Sequence, residues 1–178
     1  KPLSNANIDS AAAVTSKNIT QGGVKGRKEA TGRGVFIGLR ELLSDKKEMA
    51  KIGLKAGLKN KKVIVQGFGN VGYHAALFLN KAGAKIIGIC EYNGSIYNSK
   101  GLDPDKVKNH LKSGNSIVKF EDCESFKDPY HVFYEECDIL VPAALEEVIN
   151  EANMYKLKAK IIAEGANGPI TFEADEYL

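Results

Sequence analysis

The run Lys61 to Gly72 (KKVIVQGFGNVG) limits the fold of this chain more than any other segment. Its first half, Lys61 to Gln66, is apolar and β-branched between polar residues, which reads as a strand buried on both faces. The strand ends directly on Gly67-Phe68-Gly69-Asn70-Val71-Gly72. Beyond it, Val71, Ala75, Phe78, Leu79 and Ala82 stand at i, i+4, i+7, i+8 and i+11 and predict a helix with one apolar face. A GxGxxG hexapeptide alone is weak evidence. Here it sits between a strand and a helix, and an acidic residue, Glu91, closes the next apolar run nineteen residues after Gly72. In a dinucleotide turn the first glycine, Gly67, permits the sharp exit from the strand. The second, Gly69, lets backbone approach a pyrophosphate, and the third, Gly72, lets helix and strand pack closely. The helix N-terminus then offers free N–H groups and a positive dipole end to the phosphates, with Glu91 placed to accept from an adenosine ribose.

The rest of the chain repeats this alternation. Ala84 to Cys90 (AKIIGIC), Asp138 to Val141 (DILV) and Ala159 to Ala163 (AKIIA) read as three more buried strands. Asp103-Pro104 caps a short surface helix carrying Val107 and Leu111 and stopping at Gly114. Val35, Phe36, Leu39, Leu42 and Leu43 predict a long helix leading into the first strand. The fold class is α/β: a Rossmann-like, doubly wound, mostly parallel sheet with helices on both faces and right-handed crossovers. Residues 1–60 form the lead-in segment with its long helix, and residues 61–178 form the core. Thr171 to Leu178 (TFEADEYL) opens a capped, acidic first helical turn with nothing after it to pack beside, so the chain is expected to be cut from a longer protein.

Composition narrows the function. With 25 Lys and Arg against 22 Asp and Glu, the net charge of +3 is small and evenly spread, which argues against a nucleic-acid partner. No apolar run reaches the length of a membrane span, and Lys1 to Ser10 lacks the apolar core of a signal peptide, so neither a membrane nor secretion is expected. Cys90, Cys123 and Cys137 are odd in number and widely spaced, and read as reduced thiols.

Other candidate positions carry less chemistry. Gly32 and Gly34 stand in a helical context, where tight helix packing is the plain reading, although Arg27, Thr31 and Arg33 beside them suit a ligand-facing surface. Pro142-Ala143-Ala144 and Asn167, in Glu164 to Pro169 (EGANGP), follow strand ends, where parallel sheets place their ligands. His74 reads as a packed or surface histidine. No catalytic dyad or metal-ligand spacing stands out.

Three stretches together, Gly22 to Val35 (GGVKGRKEATGRGV), Val65 to Gly72 (VQGFGNVG) and Ile161 to Thr171 (IIAEGANGPIT), resemble the glutamate, leucine, phenylalanine and valine dehydrogenases. With EYNGSIYN and CDILVPAA, they look closest to the hexameric glutamate enzymes of the animal type. The resemblance runs from about Asn7 onward and covers the nucleotide-binding domain alone, without the domain that supplies catalytic lysines and a catalytic aspartate. It therefore implies no catalytic residue in this chain. It implies that Thr31 bonds the nicotinamide carboxamide, that Asn70 and the Val71 backbone lie at the pyrophosphate, and that Glu91 binds the adenosine ribose. Ala143 and Ala144 would line the adenosine region, Asn167 would contact the nicotinamide ribose or carboxamide, and Arg27 would reach toward the substrate's side-chain carboxylate.

The implied cofactor is NAD. NADP is the second possibility, opposed by the charge of Glu91 and the bulk of Tyr92, which stands where similar sequences carry a small polar residue. The implied partners are glutamate and 2-oxoglutarate in a whole enzyme that is a homohexamer in cytoplasm or mitochondrial matrix, with this segment alone a monomer or weak dimer without activity. Two other readings stay open on the residues: a free-standing NAD(H) sensor, and the same domain of a leucine, phenylalanine or valine dehydrogenase.

Overall fold

The computed structural model describes residues 17–178, so the start of the lead-in segment and of the family resemblance, including Asn7, lies outside the described residues. The four expected strands form as β1 (Lys62–Gln66), β2 (Lys85–Glu91), β5 (Ile139–Pro142) and β6 (Ile161–Ile162). They pair in parallel, with β1 at the centre between β2 and β5. Central position explains the sequence of β1: Val63, Ile64 and Val65 are all fully buried because both faces are covered. Val63 and Val65 join Leu39, Leu43, Ala75 and Leu79 in one cluster, while Ile64 joins Ile87, Val132 and Phe133 in a second on the opposite face.

Two strands were not expected from the sequence. β3 (Gly94–Tyr97) turns back antiparallel on β2, and β4 (Glu124–Phe126) adds antiparallel to β3, giving the order β4-β3-β2-β1-β5-β6. The turn that starts this edge is Tyr92-Asn93, between the paired Glu91 and Gly94.

The helices follow their caps and spacings. α1 (Ala30–Ser44) is the long lead-in helix, and the unexpected α2 (Lys46–Lys51) starts at Asp45, whose carboxylate accepts from the N–H groups of Lys47 and Glu48. α3 (Asn70–Lys81) follows the glycine turn. α4 (Pro104–Lys112) is capped by the Asp103 side chain, and α5 (Phe172–Tyr177) by Thr171 Oγ1, which accepts from the Ala174 N–H. α1 and α3 pack side by side over one face. The other face is covered by the 3₁₀ turn Val132–Tyr134, the loops around it and the short α5.

The α1–α3 contact corrects the reading of the first glycine pair. A Cβ on Gly32 would lie 2.6 Å from the Val71 carbonyl oxygen and 2.7 Å from the Ala75 nitrogen, so this glycine sets how closely the helices meet. A Cβ on Gly34 would meet nothing within 4 Å. Helix periodicity is the reason: two residues apart means about 200° of rotation, which turns Gly34 away from α3.

Candidate functional site

The three glycines of the turn occupy three different environments. Gly67 adopts φ +83°, and a Cβ there would strike the Ala144 Cβ at 2.4 Å, so the exit from β1 needs both the left-handed backbone and the missing side chain. A Cβ on Gly72 would lie 1.8 Å from the Gly67 carbonyl oxygen and 3.1 Å from Val65 Cγ1, which is the close approach of helix to strand. Gly69 is different: a Cβ there would meet nothing within 4 Å. The turn is open at that point. Gly69 is also the N-cap of α3 and gives the helix no side-chain cap, and the N–H groups of Asn70, Val71 and Gly72 find no acceptor among the described residues. Free donors, a dipole end and open space together form an anion cradle that suits a pyrophosphate.

Beside the cradle lies a cleft of about 560 Å³. Gly67, Gly69, Glu91, Ala143 and Ala144 line it, as the sequence placed them, together with residues the sequence reading did not single out: Gln66, Cys90, Pro129, Tyr130 and Leu145. Tyr92, 87% exposed, stands at its rim. Gln66 is buried, and its Oε1 is among the buried oxygens without a hydrogen-bond partner. Burial holds the Cys90 thiol far above its ordinary pKa, so it is a neutral wall and no nucleophile.

Glu91 ends β2 half-buried, and its Oε1 accepts from the Phe68 N–H. That bond ties the turn to the second strand. Phe68, expected at the cofactor as part of the Gly67 to Gly72 turn, is instead engaged by the protein: its ring is 1% exposed in the core, edge-on to Tyr73, and its N–H is already taken. Lys108, on α4, donates from Nζ to the Phe68 carbonyl oxygen at 3.0 Å. Both polar backbone groups of Phe68 are thus held by charged side chains.

The remaining predicted residues do not line this cleft. Asn70 donates its side-chain amide to the Lys28 carbonyl, tying the start of α3 to the segment before α1. A second cleft, of about 820 Å³, is lined by Arg27 and Asn70 together with Lys17, Lys25 and Lys28, and no acidic residue lines it. Thr31 is exposed on the first turn of α1. Asn167 is exposed in the loop after β6, and the same loop reaches the cradle through Gly165, where a Cβ would sit 3.1 Å from Ala143 Cβ and 3.2 Å from Val71 Cγ1. His74 packs where α3 meets Gly32, and its Nδ1 lies 2.7 Å from the Asn70 carbonyl oxygen.

Gln66, Cys90 and Leu145, each next to a motif or strand end already singled out, carried a signal that could have been followed. Pro129 and Tyr130 arrive from the segment between β4 and β5, which has no motif, and Lys108 from a surface helix. Among the described residues no group of three or more His, Cys, Asp or Glu is placed to hold a metal, and no helix is long and apolar enough to cross a membrane.

Comparison with known proteins identifies the relatives of this chain. Residues 22–178 match the family model for Glutamate/Leucine/Phenylalanine/Valine dehydrogenase. Similar proteins include the mitochondrial glutamate dehydrogenase of Dictyostelium discoideum, 46% identical over 171 residues, covering 96% of this chain and 34% of that protein. The NADP-specific glutamate dehydrogenase of Saccharolobus shibatae is 40% identical over 167 residues, covering 94% of this chain and 37% of its own length. Among solved structures, the hetero-hexameric glutamate dehydrogenase of Thermus thermophilus superposes with a TM-score of 0.76 at 29% identity, over 94% of this chain and 37% of that one. The chain thus spans a little over a third of the length of the proteins it matches. By the matched span, the identities and the shared fold, this chain belongs to the Glutamate/Leucine/Phenylalanine/Valine dehydrogenase family.

Proposed function

We propose that the chain is the nucleotide-binding domain of a glutamate dehydrogenase, an enzyme that oxidatively deaminates L-glutamate to 2-oxoglutarate and ammonium. The observation that carries this reading is the uncapped, open start of α3 at Gly69 beside a cleft whose wall includes Glu91. The choice of glutamate over leucine, phenylalanine or valine is supported by the names of the similar proteins. The dinucleotide, when bound, supplies the hydride acceptor for the Cα–H of glutamate, and water then hydrolyses the resulting iminium carbon.

This chain's own residues bind and orient. The N–H groups of Asn70, Val71 and Gly72 face the pyrophosphate, and the second oxygen of Glu91 is left to accept from the ribose diol while the first holds Phe68. Ala143 and Ala144 leave room for flat groups at the end of β5. Thr31 and Asn167 serve the nicotinamide end, and Arg27, in its basic cleft, serves the substrate's distal carboxylate. The catalytic groups come from another part of the whole enzyme, which assembles as a hexamer in mitochondrial matrix or cytoplasm. Titration of the full chain with NADH in a calorimeter tests the reading. Saturable binding at one site per chain is expected, and heats no larger than dilution at millimolar NADH overturn it.

A further inference from the structure

Glu91 presents a negative charge where a 2′-phosphate would sit, which by itself favours the unphosphorylated dinucleotide. The structure places a compensating charge beside it. Lys108 is half-buried on α4 and reaches across to the same residue that Glu91 holds: Glu91 takes the Phe68 N–H, Lys108 the Phe68 carbonyl. No ion pair closes between the two side chains, so the ammonium is not neutralised by contact. Its positive charge rests over the Tyr73 ring, 5.3 Å from the centroid. That ring is itself fixed by a 2.6 Å hydrogen bond from its hydroxyl to Asp105. Of the three N–H donors of the ammonium, one goes to Phe68 and two have no acceptor among the described residues.

The wider field has the same sign. Burial lowers the pKa of Lys108, Glu91 raises it, and Lys112 and Lys28 are near enough to lower it further. Lys112 and Lys28 thus add to the positive field at Lys108. A phosphate dianion entering there meets one carboxylate and a cation with two free donors.

We infer that Lys108 is the specificity-determining residue that admits a 2′-phosphate next to Glu91, so that the site takes NADP(H) as well as NAD(H). This rests on the dinucleotide reading of the cleft. The test compares NADH with NADPH, and 5′-AMP with adenosine 2′,5′-bisphosphate, by calorimetry on the full chain at fixed salt. The parent is expected to bind NADPH within about tenfold of NADH. Lys108→Met, which keeps the stem and loses the charge, is expected to weaken NADPH and the bisphosphate by about tenfold or more, the scale of one charge-assisted hydrogen bond. NADH and 5′-AMP should change by less than about threefold, since they carry no 2′-phosphate to meet the ammonium. Lys108→Arg is expected to restore NADPH binding, which separates lost charge from lost folding. In the parent, NADPH affinity should also fall more steeply with salt than NADH affinity, and that difference should vanish in Lys108→Met.

A parallel loss for both dinucleotides would show that Lys108 only braces the turn. An unchanged NADPH affinity, or a parent that binds NADH alone, would show that the ammonium does not meet the phosphate. Each of these results overturns the inference while leaving the dinucleotide site intact. A parent that binds neither dinucleotide overturns both.

Discussion

Two glycine-rich segments, thirty-odd residues apart in the chain, meet at one place in the fold and do opposite work. In Gly32-Arg33-Gly34 the backbone is ordinary helix, and Gly32 exists so that α1 can lie against the carbonyl of Val71 and the nitrogen of Ala75. In Gly67 to Gly72 the backbone is a turn, and the glycines divide the tasks: Gly67 and Gly72 remove clashes within the protein, while Gly69 leaves space that the protein does not fill. The contrast teaches that a glycine's role is read from what its missing side chain would touch. Where that is protein, the glycine serves packing. Where it is nothing, next to unsatisfied donors, the glycine serves a ligand or serves no contact at all.

The sharpest way to break this division is at Gly72. The added methyl of Gly72→Ala would lie 1.8 Å from the Gly67 oxygen, backbone against backbone, and the start of α3 would have to lift from β1. Overpacking a rigid contact is expected to cost about 3 kcal/mol. That lowers the melting temperature by about 6–12 °C for a chain of this size. Thermal denaturation of the unliganded chain measures it, and a loss under about 2 °C would mean that the turn yields cheaply.

Gly69→Ala asks the complementary question. Its methyl meets no protein atom, so the melting temperature should move by about 3 °C or less. NADH affinity should fall by about tenfold or more, roughly 1.4 kcal/mol, because the methyl would stand where the pyrophosphate approaches the free N–H groups. A variant that binds NADH as well as the parent would make Gly69 a glycine without a ligand role, and the cradle a structural turn.

The same comparison explains what could be read from the sequence. The parallel centre of the sheet and the helix after the turn were legible because each is written in consecutive residues: β-branched runs for β1 and β2, a 3.6-residue spacing for α3, Asp103 and Thr171 as caps for α4 and α5. The antiparallel edge was not, although Asn93-Gly94 is a hairpin signal, since Gly94 to Tyr97 carries only four residues of pattern. Neither was the cover of the second face, where 3₁₀ turns and loops have no period to detect. At the site, Gly67, Gly69, Glu91, Ala143 and Ala144 were legible because a motif or a strand end fixes their place. Pro129, Tyr130 and Lys108 come to the cleft or the turn from irregular or surface segments, and only the tertiary fold shows that they arrive.

The smallest expected effect is the one that reverses a reading made from sequence. Gly34 was grouped with Gly32 as a packing glycine, yet on an α-helix two residues apart means opposite sides, and its Cβ direction is open solvent. With no neighbour to clash, Gly34→Ala changes only the backbone's freedom in the unfolded chain and its preference for helix. Both favour alanine, by about 0.5–1 kcal/mol. The melting temperature should therefore rise by about 1–4 °C. Gly32→Ala, two residues away in the same helix, should lower it, since the same propensity gain is outweighed by a methyl 2.6 Å from the Val71 oxygen. Opposite signs for two identical substitutions in one helix are what the packing account requires. A fall at Gly34 matching that at Gly32 would mean that both glycines face protein, and would put α1 in a different rotation from the one described.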